Sequence, residues 1–286
     1  MAKGRELKGR IKTTENTRKI TRTMEMVATA KMKRALDRVT SARPYANALG
    51  EVLSSLYSPA LAEHFPLLRQ PERERRAAVI LMTADRGLCG GFNSNLIREA
   101  RGLLVKLRER GVEVELHVEG RRGVGYFRYV GEPLATVTTG ISEKPGAEHA
   151  SALIDDVMAQ FVRGDLDAVY LVYAQFRSAL STPPTTSRIL PVAPPERKGA
   201  TADYILAPSA EAILSDLLPL YVRNQVYRAL VETAAGEQGA RRTAMKSAID
   251  NAGEMLNVLR RTYNRTRQAA ITQEIAEIVG GAAALE

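Results

Sequence analysis

The stretch Asp85-Arg86-Gly87-Leu88-Cys89-Gly90-Gly91-Phe92-Asn93 is the best candidate for a chemical site in the chain. It falls between an apolar run of strand length and a helical stretch, where open sheets hold their ligands. Its glycines do not match G-x-G-x-x-G, and no Gly-Lys-Ser or Gly-Lys-Thr follows, so tight turning of the backbone explains them more simply than a nucleotide does. Cys89 would need a histidine from elsewhere to act as a nucleophile. His64, His117 and His149 stand in no supporting motif, and a buried structural thiol is the expectation. Asp85 and Arg86 are placed to pair with each other or to cap a helix.

Two carboxylate pairs invite a metal reading. Asp155 and Asp156 occupy adjacent helical positions, which point about 100° apart. Glu113 and Glu115 share one face of a strand, with no third ligand type beside them. One cysteine excludes an intrachain disulfide and a cysteine-rich zinc site. The chain reads as poor in catalytic groups, and no metal or cofactor is expected.

What the chain has instead is localised charge. Its formal net charge is +9, and residues 1–43 carry the whole excess, with thirteen basic residues against four acidic ones. A basic segment on an otherwise balanced chain suggests an acidic partner surface. Base stacking is unsupported, because no aromatic residue precedes Tyr45, and no zinc-finger, homeodomain or RNA-recognition pattern is present. No stretch of about 18 uncharged apolar residues occurs, so no membrane-spanning insertion is expected. The basic N-terminus lacks the apolar core of a secretory signal.

The basic segment sits on a long helical pattern. Ile20, Met24, Ala28, Met32, Ala35, Val39 and Ala42 recur at three or four residues, with Val27 and Leu36 widening the stripe. Pro44 is a potential kink. At the other end, Ser209 is a candidate N-cap, and helical character resumes past Pro219 and runs to Gly280. Met245, Ile249, Ala252, Leu256, Leu259 and Tyr263 step in a heptad rhythm, the mark of a left-handed coiled-coil seam. Ile271, Ile275 and Ile278 extend the apolar face to a Gly280-Gly281 terminator. If the two stripes bury one another, the simplest arrangement is an antiparallel pair projecting from the domain between them.

That domain reads as α/β. Strands are expected at 77–84, 112–118, 136–139 and 167–174, and helices at 93–110, 121–129 and 149–161. Ser178 to Val192 suits a hairpin, Pro194 to Ala200 a surface loop, and Asp203 to Leu206 a last strand. The alternation implies a mostly parallel, doubly wound sheet.

At Met24-Glu25-Met26-Val27-Ala28 and again at Ile271-Thr272-Gln273-Glu274-Ile275, the chain resembles the gamma subunit of the bacterial F-type ATP synthase. The resemblance spans the whole chain and takes in the Asp85–Asn93 loop, Tyr263 to Ala270 and the closing Glu277-Ile278-Val279-Gly280-Gly281-Ala282. It implies a Rossmann-like open parallel-sheet domain (76–207) inserted between terminal helices (1–57 and 209–286) that form an antiparallel coiled-coil shaft. It implies a non-catalytic central rotor of a proton-translocating synthase, peripheral on the cytoplasmic side of the cell membrane. The implied partners are the alpha and beta subunits of the catalytic hexamer, the epsilon subunit and the c-ring, with nucleotide held by beta. Met24, Arg267, Gln268, Thr272 and Glu274 match positions that face the beta-subunit catch region or couple rotation to catalysis. The basic helix, with Arg34 and Arg38, matches the part that passes acidic beta-subunit loops. Two other readings stand beside this one: an α/β enzyme using the Gly87–Gly91 loop for a nucleotide, and a basic coiled-coil adaptor for nucleic acid.

Overall fold

The computed structural model describes residues 2–56, 64–178, 181–193 and 209–283. Two long helices, α1 (Ala2–Leu56) and α5 (Ala210–Ala283), pack together, and a five-stranded sheet domain lies between them in sequence. By compactness the chain divides into one unit formed by the residues up to Ala28 and from Arg242 onward, and another formed by Thr29–Arg241.

Ser209 caps α5 as expected, its Oγ accepting the Ala212 N–H at 3.2 Å. Pro219 does not interrupt this helix, and Gly280 and Gly281 do not end it, since it is continuous to Ala283. Pro44 likewise lies inside α1.

In the first unit, Ala28, Met245, Ile249, Ala252 and Leu256 are buried, so the heptad positions of α5 form the seam. On α1 the expected stripe positions Ala28, Met32, Ala35 and Val39 are buried and Met24 is half-buried, but its first residue and one that widened it depart from the expectation. Ile20 and Val27 are 61% and 49% exposed, while Thr21 is buried. The buried positions Thr21 and Ala28 are one heptad apart, and Ile20 and Val27 each precede them by one residue, about 100° around the helix. Thr21 tolerates the seam because its hydroxyl is shared between the Thr17 and Arg18 carbonyls. Nη2 of Arg260 bonds Glu15 across the pair. Ile271, Ile275 and Ile278 are exposed, so the apolar face continues in sequence beyond the part that is covered.

The second unit is built on β1 (Arg76–Met82), β2 (Glu113–Glu119), β3 (Thr136–Thr138), β4 (Ala168–Ala174) and β5 (Pro184–Leu190), in the order β3-β2-β1-β4-β5. The first four run parallel and β5 pairs antiparallel to β4. The sheet is therefore mixed: mostly parallel, as the residue pattern implied, but not the open parallel sheet that the resemblance implied. The short return from β4 to β5 leaves no room for a crossover helix, and it puts Pro184 at the start of an edge strand, where its missing N–H costs nothing. Ser178 and Ser181 form an isolated bridge in that return. The expected loop at 194–200 and strand at 203–206 lie outside the described residues.

Alternate residues of β1 feed two cores. Ala78, Ile80 and Met82 join Ile154, Phe161 and the α5 residues Leu214, Leu218 and Val222 on one face. Ala77, Val79 and Leu81 join Phe92, Leu96, Leu104 and Phe127 on the other. Thus α4 (Ala147–Arg163) and the start of α5 cover one face, and α2 (Phe92–Glu109) and α3 (Arg121–Tyr129) cover the other. A strand clad on both faces has to be apolar throughout, as the run from Ala77 to Met82 is.

Amide exchange of the isolated chain should be slowest at Ala77–Met82 and Ala168–Val172, and fast at residues 5–15 and 270–279. Equal protection of both helix ends and the central strands would contradict this distribution of burial.

Candidate functional site

The Asp85–Asn93 loop follows β1, and its polar side chains, those of Asp85, Arg86, Cys89 and Asn93, are all engaged by the protein itself. Asp85 Oδ1 accepts the N–H of Arg121, the first residue of α3, at 3.0 Å. Its Oδ2 accepts the Gly140 N–H at 2.8 Å and the Ser142 hydroxyl at 3.3 Å. Asp85 is thus a helix cap, one of the two roles open to it in the sequence. Arg86 does not pair with Asp85 but with Glu143, which also holds Lys31 of α1, at 3.1 and 3.0 Å. These two cations lower the Glu143 carboxyl below its ordinary range.

From the sequence either Asn93 or Ser94 could cap α2. Gly91 is the N-cap instead, and Asn93 lies inside the helix. Its Oδ1 accepts the Ala84 N–H at 2.9 Å and its Nδ2 donates to Cys89 Sγ at 3.2 Å. Cys89 is buried, and burial pushes its thiol up, away from the thiolate a nucleophile requires. Leu88 holds φ at 62° and Gly90 at 58°. The loop is a strained turn tied down from below.

What ties it down is a cluster that the sequence reading missed. Arg241 of α5 donates from Nη2 to the Gly87 carbonyl at 3.2 Å and to Glu237 Oε1 at 2.6 Å. Glu237 and Arg241 are both buried, as is Glu119 at the end of β2. Glu119 Oε1 and Glu237 Oε2 have no hydrogen-bond partner. Burial raises the Glu119 carboxyl well above its ordinary range, and the charges of Asp85 and Glu237 add to the effect, with the Thr83 N–H opposing it. Glu237 is also raised by burial, against the pull of Arg241. Next to them Gly120, at φ 95°, approaches the Thr83 carbonyl so closely that an added Cβ would lie 2.2 Å from the oxygen. The signal available in sequence was the i, i+4 pair of Glu237 and Arg241, which is common on exposed helices and gave no hint of burial.

The other reactive types are likewise engaged. His117 is buried, bonded through Nδ1 to Thr136 at 2.8 Å, and burial lowers its pKa. His149 Nδ1 accepts the Gly146 N–H at the start of α4. Asp155 takes both Nε and Nη2 of Arg223, at 2.8 and 3.0 Å, while Glu113 and Glu115 face Arg76. Among the described residues, no group of three or more His, Cys, Asp or Glu side chains is arranged to hold a metal.

The expected coupling residues fall in two places. Arg34 and Arg38 line a cleft of about 440 Å³ in the second unit, with Lys31, Glu143, Lys144 and Ala234. Arg34 is exposed and Arg38 half-buried, on a surface dominated by positive charge. In the first unit, Met24 is half-buried on α1, and Arg267, Gln268, Thr272 and Glu274 are exposed on α5. No helix among the described residues is long and apolar enough to cross a membrane.

A family model described as ATP synthase matches residues 3–285. The ATP synthase gamma chain of Gemmatimonas aurantiaca is 65% identical, over all of both chains. That of Moorella thermoacetica is 45% identical, again over all of both chains. A chain in the central stalk and c-ring structure of the Tetrahymena thermophila mitochondrial ATP synthase is 26% identical. It covers 80% of this chain and 99% of its own length, with a TM-score of 0.62. A rotor chain of the Euglena gracilis enzyme, 18% identical over 94% of this chain and 99% of its own length, shares the fold at a TM-score of 0.67.

Replacing Glu119 by Gln should flatten the alkaline side of the stability profile. Its folded pKa is raised, so the stability it lends is full below the unfolded carboxylate range and is lost as pH rises toward the folded value. Denaturation at several pH values should show the parent weakening relative to Glu119→Gln from about pH 5 upward. A constant difference across pH would mean that Glu119 is charged in the fold. Truncating Arg241 to Ala alone strands Glu237 and should cost about 3–5 kcal/mol in the same measurement.

Proposed function

The chain belongs to the ATP synthase gamma-chain family, and from that premise we propose how its surfaces serve the complex. As a member of that family it is the non-catalytic central rotor subunit, coupling c-ring rotation to catalysis. On our reading, its terminal helices form an antiparallel coiled-coil shaft (1–57 with 209–286) that turns inside the hexamer of alpha and beta subunits. The domain at 76–207 is Rossmann-like, used as a scaffold that meets epsilon and the c-ring. Proton flux through the ring turns the shaft, and the complex is held peripherally on the cytoplasmic side of the cell membrane.

The observation that carries this reading is the exposed apolar face of the C-terminal helix. Ile271, Ile275 and Ile278 are 49%, 56% and 72% exposed at heptad-like spacing beyond the covered seam. A face of this kind is expected to be housed by other subunits. Met24, Arg267, Gln268, Thr272 and Glu274 are then the residues that face the beta-subunit catch region. Arg34 and Arg38 attract acidic beta-subunit loops as they pass. The nucleotide-enzyme alternative finds no support at the Gly87–Gly91 loop, which lacks a phosphate-binding Gly-Lys-Ser or Gly-Lys-Thr sequence and whose neighbouring side chains Asp85, Arg86 and Asn93 are spent on contacts within the fold.

Rotation can be tested directly. With Cys89 replaced by Ser, one cysteine is placed at Glu274 and another in the facing beta-subunit loop. Oxidation should suppress coupled ATP synthesis, and reduction should restore it. In the reduced complex, a probe at Arg121 should revisit three dwell orientations during hydrolysis. A probe that stays fixed while an intact complex hydrolyses ATP would end the rotor assignment. Separately, the double change Arg34→Glu and Arg38→Glu should leave folding within about 0.5 kcal/mol per site, yet lower coupled activity most at low ionic strength. Equal activity of variant and parent at every salt concentration would remove the electrostatic role.

A further inference from the structure

An amphipathic helix normally leaves one face to solvent. Between Ala229 and Gly239, α5 does not, for every residue there is buried. Its side chains and that of Arg241 just beyond reach the end of β4 and the turns that follow β4 and β1. Glu232 Oε2 accepts the Phe176 N–H, and Thr233 Oγ1 accepts the Ala174 N–H, each at 3.2 Å. Arg241 donates to the Gly87 carbonyl at 3.2 Å. Between these anchors, Gly236 lets the helix backbone approach the sheet. A Cβ there would stand 3.3 Å from Ala174, Phe92 and Thr182.

Two of the three anchors are themselves held. Arg228 Nε grips Glu232 at 2.7 Å, and Glu237 grips Arg241 at 2.6 Å. Thr233, Glu237 and Arg241 stand four residues apart and share one stripe of the helix. Glu232 and Gly236 lie on the neighbouring stripe. The helix is therefore fixed at two points separated along its axis by roughly 12 Å.

We propose that Glu232–Arg241 is a torsional key, a set of positioning residues that locks α5 to the sheet domain so that rotation of one turns the other without slip. This rests on the rotor reading above. Apolar burial opposes separation but is non-directional, so an all-apolar joint resists rotation about the helix axis poorly. Hydrogen bonds to backbone groups are directional, and twisting them open leaves the polar side chains of Glu232, Thr233 and Arg241, all buried, without those partners. Stability alone does not call for this construction. A buried ion pair that leaves an oxygen of Glu237 unsatisfied is commonly no better than well-packed apolar residues. What the polar joint adds is a fixed angle.

The test uses the assembled synthase in sealed vesicles. The double change Glu237→Leu and Arg241→Met removes both charges together and keeps the volume. Unloaded ATP hydrolysis should stay within about twofold of the parent. Proton pumping against an imposed gradient should fall at least fivefold, with protons moved per ATP declining as the load rises. Arg241→Lys alone, which keeps a donor, should recover much of the loaded pumping. A merely structural role would lower hydrolysis and pumping together at every load.

Thr233→Val is the second variant, nearly isosteric and lacking the acceptor for Ala174, and should show the same load dependence in milder form. It decides the matter if the double variant fails to enter the complex. Pumping equal to the parent at every load in whichever variant assembles would overturn the key. A parent complex that hydrolyses ATP without any rotation of this subunit would instead overturn the rotor reading, which separates the two failures.

Discussion

A helix that runs unbroken from Ala210 to Ala283 has to change what it packs against along its length, and much of the structure follows from that constraint. From Leu214 to Leu230 it supplies apolar residues to one face of the sheet. From Val231 to Arg241 it is buried nearly all round, with polar groups directed at turns. From Met245 to Leu256 only a heptad seam is covered, and from Ile271 onward the described side chains are exposed. No single periodicity can serve all four regimes. The composition shifts accordingly, from leucine-rich to small residues around Gly236, then to the four-three spacing of a coiled coil.

That succession explains which parts were legible beforehand. The strands at 77–82 and 168–174 were plain because a strand clad on both faces must be apolar at every position, which leaves a continuous run. The seam of α5 was plain because heptad spacing repeats. The stripe on α1 was legible at Ala28, Met32, Ala35 and Val39, which are buried, but not at its start, where the larger Ile20 outweighed the buried Thr21 on hydrophobicity. Small residues occupy the seam because they permit close helix approach, and threonine can satisfy its own hydroxyl within the helix. The antiparallel β5 was legible only as a hairpin signal, and the pairing that makes the sheet mixed depends on a turn whose geometry no periodicity encodes.

The Asp85–Asn93 loop shows the opposite case, in which a motif was visible and its role was not. Glycines, a thiol and charges beside a strand end resemble a ligand site in one dimension. In three dimensions Asp85 caps α3, Asn93 ties the turn to Cys89 and Ala84, and Arg241 occupies the Gly87 carbonyl. The decisive partner lies 154 residues away in sequence. A site whose chemistry is completed by a distant helix cannot be distinguished from a vacant one by local pattern, and the same holds for Glu119, which reads as the polar end of a strand.

Arginine serves this chain in two physically different ways, and the difference lies in burial. Arg34 and Arg38 stand at an open cleft, where solvent screens their fields within about 10 Å and attraction changes gradually with distance. Such charges can guide a moving acidic surface without trapping it. Arg241 is only 8% exposed and bonded to both a carboxylate and a carbonyl, so its interactions are short-range, directional and costly to leave unmade. A subunit that must turn past its neighbours while keeping its own parts in register needs both regimes. Soft, screened contact suits the surface over which partners pass. On the reading proposed above, hard, desolvated contact suits the joint that would carry torque, and the two kinds of arginine differ in burial as that division of labour requires.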